Sequence, residues 1–187
     1  MVWYGMVCFD LKVMELNMDF LFPNVRTLKA PVNDNLASKA ESYYFRDALS
    51  AAITKSELSP SQLQHAIFAY MPNWVGSLMR LRNRIVKSFG FKVGADNLKP
   101  TSDELEVGDK AGFLTITEKS ESEIISYSED KHMTFYISVL KKSDEVIVST
   151  LVNQKTLIGR IYVNSILPFH YIIARTVINN AIKANRI

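Results

Sequence analysis

The stretch MPNWVGSLMRLRNRIVKSFGF, residues 71–91, decides how the rest of the chain is interpreted. Pro72 has no backbone N–H, and Asn73 is a residue type that commonly caps the start of a helix. Gly90 stands where a left-handed residue would end one. The sequence therefore predicts one helix that begins at Asn73 and ends just before Gly90.

The predicted helix is amphipathic, with one exception on its apolar side. At about 100° per residue, the apolar residues form one broad stripe, made of Trp74, Leu78, Leu81, Ile85 and Phe89, with Val75, Met79 and Val86 beside them. Arg80, Arg84 and Lys87 fall on the opposite side, as expected for a solvated face. Arg82 lies among the apolar directions instead, between Phe89 and Val75.

An arginine in this position has three explanations. A guanidinium keeps its proton in proteins, so a buried Arg82 needs a carboxylate, carbonyl groups or a ligand anion. Its long side chain could also extend to the helix edge and keep its charge in water. Arg82 is therefore either an edge residue, half of a structural salt bridge, or a candidate ligand-binding residue in a cavity.

The second half of the chain predicts a run of antiparallel strands. After a first strand within residues 41–53 and a helix that Ser59 caps, the period changes to two beyond Gly112. The predicted strands are 113–117, 123–128, 133–140, 145–152 and 157–164. Their alternation places apolar residues on one face and polar residues, including Tyr162 and Arg160, on the other. This is typical of a curved sheet covered on one side.

A last helix is predicted from Pro168 to about Ala184, with His170 near the middle of its apolar face. A histidine there is commonly a core residue that bonds to the backbone. It is also a candidate donor or proton carrier in a cavity. Aromatic residues that could line the same cavity are Trp74, Tyr127, Phe135, Tyr136 and Tyr162.

Composition excludes several functional classes. The 187 residues carry a net charge of +3, with one cysteine and three widely spaced histidines. Disulfide frameworks and clustered metal ligands are therefore not expected, and no cofactor motif such as a phosphate-binding glycine loop is present. The basic residues follow one helix face without interleaved aromatics, which argues against nucleic acid. No apolar run has the length of a membrane span and no signal peptide is recognised, so a cytoplasmic location is expected.

The order of elements resembles the helix-grip architecture of the START-like (SRPBCC, birch-pollen-allergen-like) superfamily. The motifs also resemble a bacterial family of unknown function that is sometimes fused to NAD-binding oxidoreductase domains. The matching residues are Pro72, Trp74, Leu78, Met79, Leu81, Arg82, Asn83, Gly90, Gly159, Arg160, Tyr162, Pro168, Phe169 and His170. The resemblance implies an α+β fold over residues 40–187, with about six antiparallel strands, two short helices and a long C-terminal helix. Residues 1–39 are then an N-terminal extension.

The resemblance transfers positions but no chemistry, so three functional hypotheses stay open. The first is binding of a hydrophobic or amphipathic small molecule, with Arg82, His170, Trp74, Tyr162, Arg160 and Asn83 as candidate site residues. The second is an enzyme of the cyclase or dehydratase kind, with His170 as acid or base and Tyr162 or Arg82 polarising a carbonyl. The third is an interaction domain whose apolar N-terminal segment docks a partner or a second copy as a homodimer.

Overall fold

The computed structural model describes residues 20–29, 34–88, 90, 98–100 and 102–187. The predictions made for residues 1–19, including the lone Cys8, and for Phe89 lie outside these ranges. The division of the chain at residue 39 stays a prediction. Within the described ranges, however, residues on both sides of that point contribute to one sheet.

The sheet has seven strands, all antiparallel. They are β1 (Arg26–Thr27), β2 (Tyr44–Ala52), β3 (Lys110–Ala111), β4 (Leu114–Lys119), β5 (Glu123–Glu129), β6 (Met133–Lys141) and β7 (Glu145–Gln154). Their spatial order is β1-β2-β7-β6-β5-β4-β3, so β4 to β7 form consecutive hairpins and β2 returns beside β7. The α+β prediction is confirmed, and four of the predicted strands correspond to β4 to β7.

For β6 and β7 the register confirms the predicted division into two faces. Ile137 on β6 is paired with Ser126 and Thr150, and Thr150 is paired in turn with Asp47. The apolar side chains of this inner face meet the helices in the main core. Asp47 is therefore a charged residue on the inner face of β2.

The outer face is partly covered as well, by the segment that precedes β2. A 3-10 helix, Asn35–Lys39, places the fully buried Leu36 against Ile125 and Leu151. Asp34 pairs with Arg46 beside it. Glu123 is also buried here, where it accepts hydrogen bonds from the Ser138 hydroxyl and the Asn35 backbone N–H. The expectation of a sheet covered on one side only is wrong for this region.

Burial raises the pKa of Glu123 above its ordinary value of 4.5, because loss of solvent outweighs the two hydrogen bonds that favour the charged form. The unfolded chain then releases this proton at a lower pH than the folded chain. The contribution of Glu123 to stability therefore falls as the pH rises from about 4.5 through the folded-state value. Glu123→Gln does not titrate and should gain stability relative to wild type over that window. Urea unfolding at several pH values measures this, and a difference independent of pH would contradict it.

Two helices follow β2. Helix α1, Pro60–Phe68, begins with a complete capping box between Ser59 and Gln62, as the Ser59 prediction anticipated. Helix α2, Asn73–Lys87, confirms the predicted central helix. Pro72 occupies the cap position, so Asn73 is the first helical residue rather than the cap. Gly90 has a φ of +77°, the left-handed conformation expected after the helix.

The C-terminal helix α3, Leu157–Lys183, is longer than predicted and corrects two expectations. The strand predicted at 157–164 is its first part, and Pro168 lies inside it instead of starting it. The Thr156 side chain caps the true start by accepting a hydrogen bond from the Gly159 N–H. The alternation of apolar and polar residues predicted a strand here. Leu157 and Ile161 are four residues apart, however, and so they also lie on one face of a helix. Arg160 and Tyr162 are consequently helix residues.

Among the described helices, α3 alone is long and apolar enough to cross a membrane by length and composition, with a mean hydropathy of 1.2 in its most apolar window. It has the contacts of a core helix, however. Its second half packs Val177, Ile178 and Ala181 into the main core, and its first half packs Val163 and Leu167 near β7. For the described residues, this placement is that expected of a core helix rather than of a membrane span.

Candidate functional site

A cavity of about 690 Å³ lies between α2, the first half of α3 and the inner face of the sheet. Its size is that of sites that enclose a small organic molecule. The lining is mainly apolar, with contributions from Phe45, Leu78, Met79, Ile85, Leu98, Phe113, Met133, Phe135, Val152, Ile166, Leu167, Phe169 and Ile173.

The apolar stripe of α2 faces this cavity rather than a solid core. Leu78, Met79 and Leu81 line the hollow, and Leu81 and Ile85 are each 53% exposed. Val75 and Val86 are the two apolar residues of the helix that are buried. The prediction of one apolar face is confirmed, but most of that face is available to whatever enters the cavity.

Arg82 lines the cavity among these apolar side chains. Its Nε donates to the Tyr162 hydroxyl at 2.6 Å, and its Nη1 donates to Asn83 Oδ1 at 2.7 Å. The guanidinium also lies 5.4 Å from the centre of the Tyr162 ring. Within the described part of the chain, no carboxylate lies within ion-pair distance of it, whereas Arg46 pairs with Asp34. The salt-bridge explanation for Arg82 therefore has no support among the described residues.

His170 forms a second polar point in the cavity wall. Its Nε2 lies 3.0 Å from Asp47 Oδ2, and both side chains are largely buried. Phe45 meets the imidazole edge-on, with ring centres 5.4 Å apart. Among the described residues, the histidine thus bonds to a side-chain carboxylate on β2 and not to backbone, which corrects the core interpretation of this residue. An imidazole held against a carboxylate is a group that can accept or donate a proton.

The two polar points are separated along α3. Tyr162, which holds Arg82, and His170 are eight residues apart, which is roughly 12 Å of helix. Their directions differ by about 80°, so both face the same side of the helix. This arrangement suits an elongated molecule that contacts both points better than a compact one that contacts them at a single atom.

The other predicted site residues have different surroundings. Asn83 is buried, is not part of the cavity lining, and accepts a hydrogen bond from Arg82 Nη1. Trp74 is 43% exposed at the start of α2 and is not part of the lining. The Arg160 guanidinium stacks 3.4 Å from the centre of the Tyr43 ring, away from the cavity. The structure therefore brings Arg82, Tyr162 and His170 to one hollow and leaves Trp74 and Arg160 outside its wall.

Asp47 is a candidate site residue that was not predicted from the sequence. The alternation of β2 indicates that Asp47 points inward, because Phe45, Asp47 and Leu49 share one face of the strand. A carboxylate between two apolar residues on an inward face needs a partner, and that partner is His170. No cluster of side chains suited to a metal ion occurs within the described ranges.

Comparison with known proteins gives one match. The family described as "Protein of unknown function (DUF2867)" matches residues 39–177. Searches of curated proteins and of solved structures gave no match. The matched segment contains β2 to β7, both short helices and most of α3, and so includes the cavity and its polar residues.

Proposed function

The chain belongs to the DUF2867 family of proteins of unknown function, and from that premise we propose that it binds an amphipathic small molecule with an anionic end. The apolar part occupies the cavity between α2, α3 and the sheet. The anionic group, a carboxylate or a similar oxyanion, bonds to Arg82. His170 is placed to contact a second polar group further along the molecule.

The observation that supports this proposal is the environment of Arg82. Its bonds to Tyr162 and Asn83 use Nε and Nη1, both with neutral oxygens, and the Nη2 group donates to no described residue. A guanidinium fixed by two hydrogen bonds has a defined direction for its remaining donors. Glu129 and Asp130 also line the cavity, but no described carboxylate lies within ion-pair distance of Arg82, so an oxyanion in the cavity would supply the negative charge beside this guanidinium.

The apolar lining would provide most of the affinity. Each methylene transferred from water into such a site contributes about 0.8 kcal/mol. Association itself costs several kcal/mol in lost freedom, so a short chain is expected to bind weakly. The proposal therefore implies a dependence of affinity on the length of the apolar part.

Titration calorimetry with octanoate, decanoate and dodecanoate, each below its aggregation concentration, tests this dependence. The dissociation constant should fall by about fourfold per methylene until the cavity is filled. Decanol, which has the same chain without the charge, should bind more weakly than decanoate. Absence of binding across the series, together with a native mass spectrum showing no copurified small molecule, would contradict the proposal.

A second candidate function is catalysis, and the His170–Asp47 pair is the observation that favours it. A cyclase or dehydratase would use the imidazole as acid or base on a bound substrate. The roughly 12 Å between His170 and the Arg82–Tyr162 group argues against the version in which all three act on one carbonyl. In an enzyme with this site, Arg82 would hold the substrate and His170 alone would transfer the proton.

The superfamily, the source and the cellular location of the protein are also part of the proposal. An antiparallel sheet gripping a long C-terminal helix is consistent with the START-like helix-grip architecture. We extend the proposal to membership of that superfamily, to a bacterial source and to a relationship with domains fused to NAD-binding oxidoreductases. A cytoplasmic location and a homodimer also remain proposals.

A further inference from the structure

The mouth of the cavity is formed by apolar side chains that are exposed to solvent. Among the described residues, five belong both to the cavity lining and to the exposed large hydrophobic residues, with exposures between 45% and 60%. They are Leu81 and Ile85 on α2 and Ile158, Ile161 and Phe169 on α3. A continuous apolar rim from two helices is more than the isolated exposed residues found on most surfaces.

The two helices that carry this rim have charged residues of one sign, whereas Glu129 and Asp130 of the β5–β6 hairpin line the cavity. Neither α2 nor α3 contains an aspartate or glutamate. Arg80, Arg84 and Lys87 are exposed on α2, on the side opposite to its apolar stripe. An amphipathic helix with an uncovered apolar face, whose charged residues are all basic, is typical of helices that lie in the interface of a lipid bilayer.

We infer that the cavity mouth docks on an anionic lipid surface. The apolar rim would enter the boundary between headgroups and acyl chains. Arg80, Arg84 and Lys87, on the other side of α2, would attract the anionic headgroups electrostatically, within about a Debye length of the membrane surface. A second copy of the chain fits this surface less well, because a symmetric contact would bring the same basic helices together. With its mouth against the bilayer, the cavity opens to the lipid. An amphiphile can then pass between the cavity and the bilayer without crossing water.

Vesicle co-sedimentation of the full chain tests this inference. Vesicles of phosphatidylcholine with one third phosphatidylserine should bind the protein at least about tenfold more tightly than pure phosphatidylcholine. The binding should weaken strongly at about 0.5 M salt because the attraction is electrostatic. The double variant Arg80→Glu/Arg84→Glu should lose at least about tenfold in vesicle affinity. Neither arginine lines the cavity, so decanoate binding in solution should be retained.

The matched control is Lys142→Glu/Lys183→Glu, which makes the same change in net charge at two exposed lysines. Lys142 follows β6, and Lys183 is the last residue of α3, fourteen residues beyond the last rim residue, Phe169. This control should keep vesicle binding. Failure of the full chain to bind anionic vesicles would overturn the inference, as would equal losses in the two double variants. The inference would also be overturned if the protein bound vesicles only after removal of residues 1–17. A dimer that Ile161→Asp dissociates, in a protein that binds no vesicles, would overturn it as well. Vesicle binding is measured without a cavity ligand, so it can fail independently of the proposed function.

Discussion

Gly159→Ala should lower the free energy of unfolding by about 2 kcal/mol and the melting temperature by roughly 4–8 °C. A Cβ at this position would lie against the His132 carbonyl oxygen, inside van der Waals contact, and 3.2 Å from its carbonyl carbon. That carbonyl cannot move freely, because it accepts the Lys155 N–H and the His132 ring bonds to Thr156. The start of α3 must therefore shift, although alanine is the better helix former.

Gly76→Ala in α2 is the matched control. Its Cβ would lie 3.5 Å from the end of the Arg80 side chain, an ordinary contact with a flexible group. This variant should gain about 0.5–1 kcal/mol from helix propensity alone. Urea unfolding of both variants gives the comparison. Equal stabilisation by the two substitutions would show that α3 does not approach His132 as closely as described.

Arg82→Leu should weaken decanoate binding by roughly 10- to 100-fold, because a charge-assisted hydrogen bond to the ligand is worth about 1.5–3 kcal/mol. Leucine resembles the neighbouring lining residues, so the affinity for decanol should change little. Selectivity for the charged ligand should therefore disappear. Calorimetry with both ligands measures this, and a thermal melt of each variant shows whether the fold is retained.

Arg84→Leu provides the control for net charge. Arg84 is exposed on the same helix, two residues away, and does not line the cavity. Its removal should leave decanoate affinity close to that of wild type. If the two variants weaken binding equally, the attraction is a general effect of the basic helix and Arg82 is not the anion site.

Much of the fold could be predicted because local patterns and tertiary packing agree. The β5 to β7 hairpins alternate cleanly and are separated by short polar turns, so their register follows from the inward residues. The start of α3 was mispredicted because its first two turns carry apolar residues that fit either period. The cap at Thr156 and the close approach of Gly159 to His132 decide in favour of helix, and only tertiary structure reveals that approach.

The candidate site was partly predictable for a similar reason. Arg82 and His170 stood out because each interrupts an apolar face, and the structure places both in one cavity wall. The apolar stripe of α2 has the same sequence pattern whether it faces a packed core or a hollow, so the cavity mouth could not be located from sequence. Asp47 was not predicted because the first strand was placed only within residues 41–53, and an acidic residue in a strand of unassigned faces gives no sign that it points inward.

The most direct measurement is a crystal of the full chain grown with dodecanoate that carries bromine on its last carbon. The anomalous signal should place the bromine inside the cavity between α2, α3 and the sheet. The carboxylate should lie within about 3 Å of the Arg82 guanidinium. A cavity without bromine signal, or a carboxylate bound elsewhere with Arg82 turned to water, would contradict the account.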